Sequence, residues 1–248
     1  MRNSSHPITN KQKLSFTFNG TKYFGYKGDT LASALIANNV KIVGRSFKYH
    51  RPRGIFSAGS EEPNALVELG DGPYKEPNTR ATNIELFDGL EGSSQNFLGS
   101  VNFDFMAIND LLKNFIGAGF YYKTFMWPRR FWEKLYEPII RRAAGIGILS
   151  LKADPSQYDK GYLHCDFLII GSGISGLMSA LLLAETGREV LIVEEDFILG
   201  GRLNSERSVI NGNQSSVWIG KAVKKLKSLK NVRILNRTTV FAAFDHGI

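Results

Sequence analysis

The stretch from His164 to Glu195, HCDFLIIGSGISGLMSALLLAETGREVLIVEE, constrains this chain more than any other. Leu168, Ile169 and Ile170 form a short apolar run of strand type. Gly171, Gly173 and Gly176 follow in the spacing G-x-G-x-x-G, and the pattern predicts a helix over Leu177 to Glu185 that Gly187 ends. Val190 to Val193 then read as a second strand, and Glu194 follows about twenty residues after the first glycine. Each glycine has its own reason. The first permits the turn out of the strand, the second lets backbone approach a pyrophosphate, and the third lets the helix sit close to the strand. The helix N-terminus offers free N–H groups and partial positive charge to phosphates, and the acid can hold a ribose hydroxyl. Strand, turn, helix, strand and acid in register predict a dinucleotide-binding unit.

The candidate cofactor-binding residues are Gly171, Ser172, Gly173, Ile174, Ser175 and Gly176 of the turn, with Glu194 and Glu195. Gly200, Gly201 and Arg202 join them, because a second glycine pair there can let the chain approach the dinucleotide again. Residues alone leave NAD and FAD open. Glu194 disfavours NADP, since its charge repels a 2′-phosphate. Phe167 to Ala184 carries no charge and is long enough for a membrane span, but the glycine corner splits it into buried strand and buried helix. No membrane segment is expected.

The 248-residue length allows one large or two small domains. Cys165 is the single cysteine, expected as a buried thiol at the start of the apolar strand. With no internal disulfide and no apolar leader, a cytoplasmic location is the expectation. A net charge of +8 raises nucleic acid as a partner, but no nucleic-acid motif accompanies it, and none is expected to bind. Lys221, Lys224, Lys225, Lys227 and Lys230 surround Val223, Leu226 and Leu229, the pattern of a crossover helix with a solvated face.

Upstream, Leu14 to Phe18 alternate as a strand, Asn19-Gly20 signals a hairpin, and Thr21 to Tyr26 return. Asp29 or Thr30 caps a helix that ends near Asn38-Asn39, and Val40 to Val43 and Ala65 to Leu69 read as short strands. Hairpin, helix and short strands predict a β-grasp unit over residues 1–90. Residues 91–160 form an aromatic-rich connector, with helices expected over Ile108 to Phe115 and Phe131 to Ile148. So many aromatics at mixed spacing point to packing between domains or subunits. The dinucleotide domain occupies 161–248, with Val232 to Leu235 its third strand and Thr239 to Phe244 the start of another. A complete domain of this class needs more strands, so the sequence reads as truncated. The fold class is α/β throughout. No catalytic residue and no metal ligand is identified.

The chain resembles the alpha subunits of heterotetrameric sarcosine oxidase. The strings that carry the resemblance are GDTLASALIANNV (28–40), GRSFKYHRPRGIFSAGSEEPNALVELG (44–70), AGFYYKTFMWP (118–128), YEPIIRRAAGIG (136–147), DFILGGRLNSE (196–206) and LNRTTVFAAFDHGI (235–248). The family's chains continue with the rest of the nucleotide domain and a folate-binding half. The resemblance implies a ferredoxin-like N-terminal domain. Related subunits carry cluster cysteines there, whereas this chain has Phe56, Ser57, Ser60, Glu61, Glu62 and Ala65 across the loop, so no [2Fe–2S] cluster is expected. It also implies NAD in the dinucleotide domain, with FAD the alternative, and FAD and FMN elsewhere in the assembly. The other subunits, chiefly beta, become the expected partners, and a small-molecule amine the substrate of the assembly. The family reaction is oxidative demethylation of sarcosine to glycine, hydrogen peroxide and a one-carbon unit. Nothing in these residues resembles the amine-oxidising site, so the segment by itself is expected to be inactive. A flavin amine or opine dehydrogenase subunit and a noncatalytic interaction module are the rival readings. Lys48, His50, Arg51 and Arg53 form a basic loop that reads equally as an anion site or as a solvated or subunit-contact loop.

Overall fold

The computed structural model describes residues 12–117, 119, 127–143 and 147–244. The chain divides into two compact units, Met1–Ser156 and Gln157–Ile248.

The first unit is built on a hairpin. Strand β1 (Lys13–Phe18) pairs antiparallel with β2 (Thr21–Tyr26) through Asn19 and Gly20, both at positive φ. That is the turn geometry which Asn-Gly supplies at low steric cost. Helix α1 (Leu31–Ala37) follows, and Thr30 is its N-cap, exchanging hydrogen bonds with Ser33 in a capping box. Short β3 (Gly44–Arg45) and β4 (Pro52–Arg53) form a separate ladder. Val40 to Val43, expected as a strand, is irregular; Val43 instead buries its side chain and donates its N–H to Arg53. Strands β5 (Leu66–Leu69), β6 (Glu76–Arg80) and β7 (Leu90–Ser94) complete a five-stranded sheet in the order β2-β1-β7-β5-β6. The last strand in sequence is thus central, parallel to β1 and antiparallel to β5, and the sheet runs past residue 90. Leu14, Phe16 and Phe18 alternate inward onto Leu31, Leu35, Val67 and Leu90. Each such side chain, fully buried, contributes roughly 1.5–3 kcal/mol.

The connector segments differ from expectation. Helix α2 covers only Ile108–Leu111, and residues 112–115 turn. From Arg129 the chain passes through a 3₁₀ turn (Arg129–Phe131) and a π turn (Trp132–Tyr136) into α3 (Glu137–Ala143). Phe103, Phe105, Leu111, Phe115 and Trp127 are exposed. Phe120, Tyr121, Tyr122 and Phe125 lie outside the described residues.

The second unit holds a three-stranded parallel sheet, β8 (Phe167–Ile170), β9 (Val190–Val193) and β12 (Val232–Leu235), in the order β12-β9-β8. Helix α4 (Ile174–Ala184) connects the first two and α5 (Ser215–Ser228) precedes the third. A small hairpin of β10 (Val209–Ile210) and β11 (Asn213–Gln214) precedes α5. Every residue of β9 is buried, as a central parallel strand requires. Leu177, Ala180 and Ala184 of α4 and Trp218, Ile219, Ala222 and Leu226 of α5 close the core, while the α5 lysines stay outside. Residues 239–244, expected to start another strand, are irregular. Cys165 is only partly buried and lies ahead of β8, not in it. Among the described residues, no helix is long and apolar enough to cross a membrane.

Candidate functional site

The candidate site lies at the carboxyl ends of β8 and β9. Gly171 leaves β8 at φ +85°, donating its N–H to Val193 O at 2.8 Å. The chain then turns into α4 with Gly173 as N-cap. A Cβ at Gly176 would lie 2.1 Å from Gly171 O, so this glycine sets how closely α4 seats on the strand. A Cβ at Gly173 would meet nothing within 4 Å, so its face is open. Ile174 and Ser175, in the first turn of α4, are exposed. The first N–H groups of α4 and its dipole, equivalent to about half a positive charge, therefore look onto open space beside a bare backbone.

Ser172 is fully buried and joins three segments. Its backbone N–H donates to Glu194 Oε2 at 2.6 Å, and its hydroxyl donates to the same oxygen. That hydroxyl also accepts from Gly200 N–H at 3.1 Å. Glu194 Oε1 accepts from Asp196 N–H at 3.0 Å. A carboxylate has about four acceptor positions. Three are taken, which leaves one on Oε1.

The second glycine pair is brought against the first turn. Gly200 (φ +121°) and Gly201 (φ +52°) occupy conformations that favour glycine, and a Cβ on Gly201 would stand 3.2 Å from Gly173 Cα. Buried Leu199 and Leu203 anchor the pair, and Asn204 Nδ2 donates to Leu199 O and Gly201 O. Arg202 is not drawn in: its guanidinium reaches out to Glu206 Oε1 at 2.8 Å. Glu195 is exposed beside Glu194.

Sequence reasoning missed Asp196, Asn204 and the segment 236–238. Burial pushes the Asp196 carboxyl up; the Phe197 and Ile198 N–H groups oppose this, and the charges of Glu194 and Glu195 add to it. Asn236 donates to Phe197 O, Arg237 N–H to Asp196 O and Thr238 N–H to Glu194 O, so the chain leaving β12 covers the end of β9. Asparagine in a loop and a third acid after a strand were the only available signals.

The basic loop of the first unit is engaged within that unit. Arg51 pairs with Asp110, and Lys48 Nζ donates to Gly117 O at 2.8 Å. Arg45 donates to the carbonyls of Val101, His50 and Asn102. His50 is buried against Asp104, its Nδ1 2.7 Å from Oδ2. These groups clamp the connector, with Arg53 left exposed on β4. Lys48, His50 and Arg51 are thus already engaged by groups of the same unit, while Arg51 and Arg53 stay exposed to solvent.

Residues 11–96 match the 2Fe-2S iron-sulfur cluster binding domain family. Residues 169–223 match the NAD(P)-binding Rossmann-like domain family. The chain is 54% identical over 235 residues to sarcosine oxidase subunit alpha of Rhizobium meliloti (strain 1021), covering 95% of this chain and 24% of that protein. It is 29% identical over 242 residues to sarcosine oxidase subunit alpha of Corynebacterium sp. (strain U-96), covering 96% of this chain and 20% of that protein. The chain thus spans a quarter or less of the relatives to which it is homologous. The crystal structure of L-proline dehydrogenase from P. horikoshii shares the fold, at 20% identity and a TM-score of 0.54 over 95% of this chain and 35% of that one.

The residues of the second unit fit a dinucleotide, because the open Gly173 face and the α4 N-terminus form a cradle that a side chain would fill. The residues of the first unit do not fit an iron–sulfur cluster. Clusters are held by thiolates, and the one cysteine, Cys165, lies outside the matched segment.

Proposed function

We propose that this chain is the N-terminal, dinucleotide-holding part of a sarcosine oxidase alpha subunit. In this reading it works in the cytoplasm within an assembly that demethylates sarcosine oxidatively to glycine, a one-carbon unit and hydrogen peroxide. The other subunits, chiefly beta, are its partners. The observation that carries the reading is the 54% identity over 95% of the chain to a sarcosine oxidase subunit alpha.

The dinucleotide proposed is NAD. When bound, it supplies a hydride-accepting ring. The chain's own residues bind and orient it. Backbone N–H groups at the start of α4 face the pyrophosphate, Gly173 and Gly201 keep the approach free of side chains, and the remaining acceptor position on Glu194 Oε1 takes a ribose hydroxyl. Glu194, Glu195 and Asp196 together repel a 2′-phosphate, which supports NAD over NADP. Arg202, paired with Glu206, has no assigned contact. No residue of this segment is assigned to the oxidation of the amine.

FAD in the same cradle is the second reading, because the G-x-G-x-x-G turn serves FAD as well as NAD. Denaturing the purified protein and identifying the released nucleotide by chromatography separates the two. Released NAD together with sarcosine-dependent peroxide from the assembled enzyme is the expected outcome. Released FAD would move the assignment to the alternative, and a protein free of nucleotide that gains none on incubation would end the dinucleotide reading.

A further inference from the structure

The loop between β4 and β5, in the unit that matches a cluster-binding family, is ordered around a single buried acid. Glu62 is 1% exposed. Its Oε2 accepts the backbone N–H of Phe56 at 2.8 Å and of Ser57 at 2.5 Å, and the Ser57 hydroxyl at 3.2 Å. Its Oε1 accepts the backbone N–H of Asn64 at 2.8 Å and of Ala65 at 3.2 Å. Four main-chain donors from both arms of the loop therefore converge on one carboxylate. Convergent N–H groups form a nest, a concavity that selects an anion. A buried carboxylate, in turn, persists only where such donors replace its water.

The loop is also tied from outside. Glu62 N–H donates to Gly59 O, Thr82 Oγ1 donates to the same carbonyl, and Arg80 Nε donates to Glu62 O. Phe56, whose N–H is one of the donors, has its side chain 81% exposed, so its own burial does not hold it in place.

We propose that this loop is an anion-binding nest whose resident is an internal one, the Glu62 carboxylate. In a unit that matches a cluster-binding family yet has no thiolates, the loop is held by a charge carried on its own chain. Two properties follow. Removal of the carboxylate leaves a pocket that takes a small carboxylate from solution. The neutral amide serves poorly, because charge-assisted hydrogen bonds are about twice as strong as neutral ones and an amide nitrogen cannot accept.

The test uses the purified full chain and its E62Q and E62A variants, with amide hydrogen exchange at Phe56, Ser57, Asn64 and Ala65 and with formate as the probe. In E62Q those four amides exchange at least about tenfold faster, while amides of the β1–β7 ladder keep their protection. In E62A, formate restores protection of the same four amides saturably, and chloride at equal ionic strength does not. Wild-type protection in E62Q overturns the proposal. So does an E62A loop indifferent to formate, which would reduce Glu62 to a packing residue. Should E62A fail to fold, the E62Q exchange pattern decides alone.

Discussion

Two glycines three residues apart in the same turn should respond to alanine in opposite ways. Gly176 is packed. A Cβ there would stand 2.1 Å from Gly171 O, a backbone atom, and must retreat beyond 3.0 Å. Helix α4 then lifts off β8 and disturbs the fully buried Leu177 and Ala180. Overpacking of this kind costs about 1–3 kcal/mol, with a rigid carbonyl at the upper end, and alanine returns about 1 kcal/mol of helix propensity. The net loss for Gly176→Ala is roughly 2 kcal/mol, which lowers Tm by on the order of 10 °C in a domain of this size. Gly173 is open. Its φ of −62° is ordinary for any residue and its Cβ would touch nothing within 4 Å. The small gain from a stiffer unfolded chain and the small loss of a glycine N-cap nearly cancel, each below about 1 kcal/mol. The methyl group nevertheless enters the space through which a pyrophosphate approaches. Gly173→Ala should therefore leave Tm within about 2 °C and weaken dinucleotide binding at least tenfold, about 1.4 kcal/mol. Scanning calorimetry of both variants, with NAD and FAD titrations of Gly173→Ala, makes the comparison. Unchanged affinity in Gly173→Ala, or equal loss of Tm in both, would refute the reasoning.

Three further outcomes follow from the same geometry. Ser172→Ala removes the hydroxyl that joins Glu194 to Gly200 and should cost about 0.5–1.5 kcal/mol of binding, roughly two- to tenfold in Kd; a titration showing wild-type affinity would leave Ser172 no positioning role. Burial pushes the Glu62 carboxyl up, but the N–H groups of Ser57, Asn64, Phe56 and Ala65 outweigh it and hold the group below its ordinary range. A lowered folded-state value means a contribution present above the ordinary carboxylate value and lost as pH falls through the folded one, so urea stability of the wild type should decline more steeply in acid than that of E62Q. Parallel curves would contradict this. Thr30→Ala removes half of the α1 capping box and should cost about 1 kcal/mol by chemical denaturation.

Local backbone chemistry was legible wherever one residue's steric allowance decides a conformation. Asn19-Gly20 could be read as a hairpin because both positions need positive φ, and the strand-to-helix corner because Gly171 turns at positive φ and only an absent side chain at Gly176 lets α4 seat on the strand. The period of apolar residues placed β1, β9, β12 and the lysine-coated α5 for the same kind of reason, since burial of one face imposes a spacing on the chain. The connector was harder. Its aromatics have no single period, and what was expected as one helix from Phe131 is 3₁₀, π and α turns in succession.

Partnership across distance was decided by the tertiary structure. Ser172 and Glu194 are 22 positions apart and Ser172 and Gly200 are 28 apart; each was a candidate on its own, but their bonds to one another were not legible in the sequence. Lys48, His50 and Arg51 of the basic loop looked available for an anion until the fold delivered the Gly117 carbonyl, Asp104 and Asp110 to them. Glu62 read as one more loop acid until folding turned four N–H groups inward upon it. A side chain's hydrogen-bonding capacity is written in its residue type, but its partner is whichever group the packed chain places within about 3 Å. The sequence by itself determined which conformations each segment can take. Only the tertiary structure decided which charges are satisfied and which face stays open, because those depend on groups that meet only when the sheets close.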